Sequence, residues 1–259
     1  ERLTPGTRLM AVVKANGYGH GAIESARAAH RGGATFLGVA TVEEARELRE
    51  AGLEVPILVL GSSDPLEAPG AARIDVALGV GDVDQAQRLL NALEEDPPSR
   101  PLEIHLKVDT GMRRFGVSPA EALVLSGRLH QIPHVRVAGI YSHFAASDGN
   151  SLEPIDRQFE LFETVRSDLA NSHTSPEIAH ISNSAALLRN RTTDLTMVRA
   201  GICLYGITPS EHVELFSGMR PALEWRATVQ HIAEMAPGDR TGYGGTYVAT
   251  EHERIAVLP

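Results

Sequence analysis

The stretch AVVKANGYGHGA, Ala11 to Ala22, sets Lys14 at the end of an apolar run and follows it with Asn16, Gly17, Gly19 and Gly21. A lysine at a strand end ordinarily snorkels to solvent. One partly stripped of water is instead biased toward its neutral amine, which can attack a carbonyl and form a Schiff base. The glycines would let the following loop approach a ligand closely. SNSAALL (182–188) offers Ser184 and the opening amides of a helix to an anion, and RAGI (199–202) offers the Gly201 amide. The same two residues read equally well as an N-cap serine and a packing glycine. Arg199, between Val198 and Ala200, either pairs with a buried carboxylate or faces a ligand. His143 ends an apolar run, where a core histidine satisfied by backbone is the ordinary alternative to a ligand contact. In KVDTGMRRFG, Lys107 and Arg114 flank a glycine turn, as a solvated basic loop or as a charge network with Asp109.

Something must bring these residues together. Short β-rich runs recur at 9–15, 36–40, 56–61, 75–80, 102–109, 135–143, 177–184 and 196–206, several apolar almost throughout. Amphipathic stretches separate them, such as TVEEARELREAG (41–52), GDVDQAQRLLNALEE (81–95) and SPAEALVLSGRLHQI (118–132), with Asp82 and Ser118 as N-caps. Strand–helix alternation repeated eight times predicts an α/β fold, an eight-stranded parallel (β/α)8 barrel of TIM type, with a doubly wound open sheet as the alternative. After Gly206 the rhythm changes. LEWRATVQHIAEM (223–235) alternates with a period near two, GDRTGYGGTYVAT (238–250) is hairpin-like, and RIAVLP (254–259) is another strand. We therefore expect a barrel domain over 1–221 and the beginning of an antiparallel β domain over 222–259, truncated at the C-terminus. In such a barrel the reactive groups sit at the carboxyl ends of the strands, and phosphate binds at the loops after strands seven and eight. A Schiff-base lysine and a phosphate cup on one mouth point to pyridoxal 5'-phosphate.

Composition narrows the partners. The net charge of -9 argues against nucleic acid. No apolar run reaches the roughly 18 residues that span a bilayer, so no membrane partner is expected. A single cysteine, Cys203, excludes an internal disulfide framework and fits a reducing, cytoplasmic setting. No metal site is expected. The chain opens at Glu1 without a methionine and stops just after the apolar run Ile255–Leu258, so both ends read as cuts in a longer protein.

At these residues the chain resembles the alanine racemase family. AVVKANGYGHGA is similar almost letter for letter to the family's cofactor-lysine signature, and LKVDTGMRRFGV, YSHFAASD, ISNSAALL and MVRAGICLYGI follow in order at matching spacings. The resemblance implies interconversion of L- and D-alanine, supplying D-alanine for peptidoglycan. It implies that Lys14 holds pyridoxal phosphate covalently and acts as one catalytic base. Tyr18, Ser184, Gly201 and Ile202 would hold the phosphate, with Asn183 supporting the cup. His143 would lie against the pyridine ring, Arg199 would face its nitrogen, and Arg114 would sit near the substrate carboxylate. Lys107 matches a lysine that some members carbamylate. The family usually has glycine where this chain has Arg113. Its second base is a tyrosine from the partner subunit of a homodimer, placed just beyond Pro259. The same resemblance leaves open a racemase for serine or a broader set of amino acids, and a cofactor-binding barrel lacking its second base.

Overall fold

A computed structural model describes residues 3–191 and 195–259. The chain divides into two units, Glu1–Ala222 and Leu223–Pro259. The first alternates strand and helix: β1 (Arg8–Val12), α1 (Lys14–Tyr18), α2 (Ala22–Arg31), β2 (Phe36–Val39), α3 (Val42–Glu50), β3 (Ile57–Val59), α4 (Ala68–Arg73), β4 (Val76–Val80) and α5 (Val83–Glu95). It continues through β5 (Leu102–Lys107), α6 (Pro119–Leu129), β6 (Val135–Tyr141), α7 (Glu153–Asn171), β7 (Ile178–His180), α8 (Ser184–Leu188) and β8 (Met197–Ala200). Neighbouring strands are parallel, in the order β7-β6-β5-β4-β3-β2-β1-β8. Side chains bridge β7 and β8. The Ala179 amide donates to Thr196 Oγ1 at 2.8 Å, and Arg199 donates to His180 Nδ1 at 2.6 Å. The fold is a (β/α)8 barrel, not a doubly wound open sheet.

Strand alternation sorts the side chains into two layers. Ala11, Leu37, Val39, Ile57 and Val59 face the helices, while Met10, Val12, Phe36, Leu58, Ala77, Ile178 and Met197 pack inside the ring. Leu58 is fully buried, and emptying it to alanine costs about 2–5 kcal/mol. Helix starts follow local chemistry. Asp82 Oδ1 accepts the Gln85 amide at 2.6 Å, and Ser118 forms a capping box with Glu121. Strands are shorter than their apolar runs, because the run continues past the last ladder bond into the mouth loops.

The second unit holds two antiparallel pairs, β9 (His231–Met235) with β12 (Glu253–Val257) and β10 (Arg240–Thr241) with β11 (Tyr247–Val248). The period-two alternation at 223–230 does not form a strand. A strand needs a neighbour for its backbone groups, and the pairing with β12 runs out at Val257 opposite His231. No described helix is long and apolar enough to cross a membrane.

Candidate active site

The carboxyl ends of the barrel strands enclose a cavity of about 760 Å³. Lys14 reaches it from α1, a short segment wound left-handed. Ala15, Asn16, Gly17 and Tyr18 have φ of 51°, 54°, 62° and 54°. Each non-glycine residue in that region costs about 1–2 kcal/mol, so the turn is held from outside. The Asn16 side chain accepts the Ala22 amide at 2.8 Å, and Glu44 accepts the Ala15 amide at 2.7 Å. Lys14 lines the cavity but is exposed. The expected desolvation at a strand end is not met, because β1 stops at Val12 and the turn sets Lys14 on the rim.

The inner faces of β5 to β8 carry the buried polar groups. Arg199, 3% exposed, donates to His180 Nδ1 at 2.6 Å, to His143 Nδ1 at 3.0 Å, and to the carbonyls of Ser142 and Ile181 at 2.8 and 3.0 Å. No described carboxylate lies within ion-pair distance, so the buried-pair alternative for this arginine fails. Burial lowers its pKa to about 10, and it remains a cation at neutral pH. Because it can only donate, His180 must carry its proton on Nε2. That nitrogen lies 2.9 Å from His105 Nδ1, so His105 carries its proton on Nε2 in turn. Burial, then the Arg199 charge, pushes His180 well below its usual range and His143 down to about 2. Both imidazoles are neutral. His143 is therefore held by a guanidinium, not by backbone. Tyr141 stacks on His180 at 4.9 Å and donates to the Leu60 carbonyl at 2.8 Å.

Lys107, 7% exposed, sits 5.4 Å from the ring centres of both Phe115 and Tyr141. Burial, then Arg199 and Arg114, lowers its pKa to about 8. Asp109 makes no ion pair with Lys107 or Arg114. It accepts the amides of Gly111 and Arg113 at 2.7 and 3.2 Å and shapes the loop instead. Arg114 is exposed on the cavity wall. Arg113 adopts φ 56°, a conformation that favours glycine.

The opposite rim is built from neutral donors. Asn183, not Ser184, is the N-cap of α8, accepting the Ala186 amide at 3.1 Å and the Ser147 hydroxyl at 2.8 Å. Ser184 lies one residue inside the helix. Its oxygen accepts the amides of Gly201 and Cys203 at 2.9 and 3.4 Å, leaving its hydrogen to donate elsewhere. At Gly201 a Cβ would stand 2.7 Å from the Tyr18 hydroxyl, so only glycine lets Tyr18 close in. Ile202 opens the 3₁₀ turn that follows.

Lys14, Tyr18, Lys107, Arg114, His143, Asn183, Ser184, Arg199, Gly201 and Ile202 all line this cavity. Sequence reading missed His105, His180, Tyr141 and Glu44. The inward alternation of His105 and Lys107 against Leu102, Ile104 and Leu106 was the signal for the first.

A parallel (β/α)8 barrel whose strand ends gather a lysine, buried cations and neutral donors around one cavity has the arrangement of a barrel enzyme. The family profile described as alanine racemase, N-terminal domain, matches residues 1–209, and the chain belongs to that isomerase family. The alanine racemase of Symbiobacterium thermophilum is 41% identical over 261 residues, covering 100% of this chain and 68% of its own. That of Desulforamulus reducens is 40% identical over 257 residues, covering 98% and 69%. The crystal structure of alanine racemase from E. faecalis matches with a TM-score of 0.89 at 37% identity, covering 100% and 69%.

Proposed function

We propose that the protein interconverts L- and D-alanine with pyridoxal 5'-phosphate as cofactor. One observation carries this reading: Lys14, the neutral cup around Ser184 and Gly201, and buried Arg199 line a single cavity. The residues fit the group. The Ser184 hydrogen, the narrowed approach at Gly201 and the Tyr18 hydroxyl suit a phosphate, and the ring stack and neutral His143 suit an aromatic heterocycle.

When bound, the cofactor would draw electron density from the substrate Cα and make its proton removable. Lys14 would hold the cofactor through its amine at the aldehyde carbon, the aldehyde oxygen leaving as water, and its free amine would take or return the Cα proton on one face when the substrate amine occupies that carbon. Tyr18, Ser184, Gly201 and Ile202 would hold the phosphate, with Asn183 fixing the start of α8. Arg199 would donate to the pyridine nitrogen without giving up its proton, and the His180–His105 chain fixes its orientation. His143, neutral, would flank the ring. Arg114 would bind the substrate carboxylate. Inversion needs a base on each face, and in this reading a partner subunit of a homodimer supplies a tyrosine for the second. Burial lowers the Lys107 pKa to about 8, so a fraction of its amine is neutral near pH 7. That fraction can add carbon dioxide: nitrogen bonds to carbon, a proton leaves, and a carbamate anion faces Arg114.

The test is to incubate the protein with pyridoxal phosphate, reduce with borohydride, and locate the label by peptide mass spectrometry. In parallel, Cα–H exchange and D-alanine formation from L-alanine are followed in deuterated water. Label on Lys14 with both reactions supports the reading. Label elsewhere, or label without exchange, defeats it.

A further inference from the structure

Glu44 departs from the role its sequence position assigns. Thr41, Val42, Glu43 and Glu44 are spaced as a capping box, in which the glutamate returns to the N-cap amide. Thr41 does its half, its hydroxyl accepting the Glu44 amide at 3.2 Å. The Glu44 carboxylate goes elsewhere. One oxygen accepts the Ala40 amide at 2.6 Å and the other the Ala15 amide at 2.7 Å. Ala15 directly follows Lys14 and begins the left-handed run. Within that run Gly17 donates to the Val13 carbonyl at 2.8 Å and Gly19 to the Ala15 carbonyl at 3.1 Å. Neither bond ties the turn to the neighbouring strand–helix unit; the Glu44 carboxylate does. A left-handed path is unfavourable at Ala15 and Tyr18, so releasing this tie lets the segment relax. Lys14 at one end and Tyr18 at the other would then lose their shared aim.

We propose that Glu44 is a positioning residue for Lys14, holding the left-handed turn that presents the amine and the Tyr18 hydroxyl to one cavity. This rests on the proposed role of Lys14 as the cofactor-bonding amine. Two readouts test it on the intact chain. The first needs no cofactor: hydrogen exchange of the amides at 15–19 in Glu44→Gln and in the unaltered protein. The second is the rate at which pyridoxal phosphate labels Lys14, trapped by borohydride and located by mass spectrometry. Glutamine offers one neutral acceptor to two backbone donors and sets an NH2 where the other oxygen stood, so Glu44→Gln should exchange the Ala15 amide and label Lys14 with changes of roughly tenfold, faster and slower respectively. Far-UV circular dichroism should be unchanged. Adding Ala15→Gly, which removes the steric penalty at that φ, should restore most of the labelling rate. A simple helix-cap defect in α3 would not be rescued from position 15.

Unchanged protection at Ala15 in Glu44→Gln overturns the proposal whatever the labelling shows. So does a wild-type labelling rate, or slowing that Ala15→Gly leaves untouched. Failure of the unaltered chain to label at Lys14 overturns the functional reading itself, and with it any service Glu44 performs for that lysine. Should Glu44→Gln fail to fold, Ala15→Gly in the unaltered background decides: it should weaken the dependence on Glu44, measured with Glu44→Asp, and equal sensitivity in both backgrounds refutes the tie.

Discussion

Replacing Lys107 by methionine should stabilise the barrel at neutral pH. The side chain is 7% exposed and makes no ion pair. Its pKa falls from 10.5 to about 8, first by burial and then by Arg199 and Arg114. That fall corresponds to ~3 kcal/mol of unfavourable folding free energy for the charged form. The two aromatic faces at 5.4 Å return ~1 kcal/mol, leaving ~2 kcal/mol against the folded state. The sign follows from proton counts. Between pH 8 and 10.5 the unfolded lysine binds more protons than the folded one, so wild-type stability gains from this residue as pH rises through that window. Methionine, of similar volume, carries no such dependence. Urea denaturation in degassed buffer should show Lys107→Met ahead by ~2 kcal/mol at pH 7, the gap closing by about pH 10.5. Adding bicarbonate near pH 8 should narrow the gap if the amine takes up carbon dioxide. A gap that stays constant from pH 7 to 10.5, or a destabilised variant at pH 7, would refute the reasoning.

Gly201→Ala places a Cβ 2.7 Å from the Tyr18 hydroxyl, so Tyr18 must retreat. Affinity for pyridoxal phosphate, measured by fluorescence titration, should drop about tenfold or more, and an unchanged Kd would clear Tyr18 of a phosphate role. Arg113→Gly relieves a positive φ on an exposed loop and should gain about 0.5–1 kcal/mol in urea unfolding. Loss of stability there would mean that the side chain holds the loop. His143 should stay neutral from pH 5 to 8 with its proton on Nε2, because burial lowers its pKa to about 2 and Arg199 occupies Nδ1. Nitrogen-15 shifts of the imidazole report this directly, and a midpoint near 6.5 would contradict it.

The barrel was legible because its signals are local. Apolar runs alternate with amphipathic stretches, and caps such as Asp82 and Ser118 mark where helices begin. The cavity residues were legible for a different reason. In a closed parallel barrel all strand ends meet on one face, so residues scattered from Lys14 to Ile202 converge without any long-range information. What required register was not legible. His105 touches His180 across β6, where the β5–β6 register shifts between Ile104 and His105. Gly139 leaves the room, since a Cβ there would stand 2.3 Å from the His105 ring. The left-handed turn was half legible. Its glycines were visible, but three of its four residues are not glycine, and the clamp that sustains them lies on α3.

The distribution of charge in the cavity carries the final argument. The chain bears a net charge of -9, yet among the described residues its mouth is lined by Lys14, Lys107, Arg114 and Arg199 against one acid, Asp148. Burying charge is unfavourable: burial lowers both Arg199 and Lys107, and the neighbouring Arg199 and Arg114 lower Lys107 further. Such an arrangement makes physical sense where an anion completes it. The cup at Ser184 and Gly201 is uncharged, and hydroxyl and amide donors aimed at a fixed point can hold a phosphate without a lysine or arginine beside it. The cations are then left for other work. In the proposed reading Arg114 would address a carboxylate, a carbamate on Lys107 would orient that guanidinium, and Arg199 would address a ring nitrogen. A site that spent its cations on the phosphate would have nothing with which to orient an amino acid. In the proposed reading, the separation of neutral rim from cationic wall would let one cavity hold two anionic groups in a defined order.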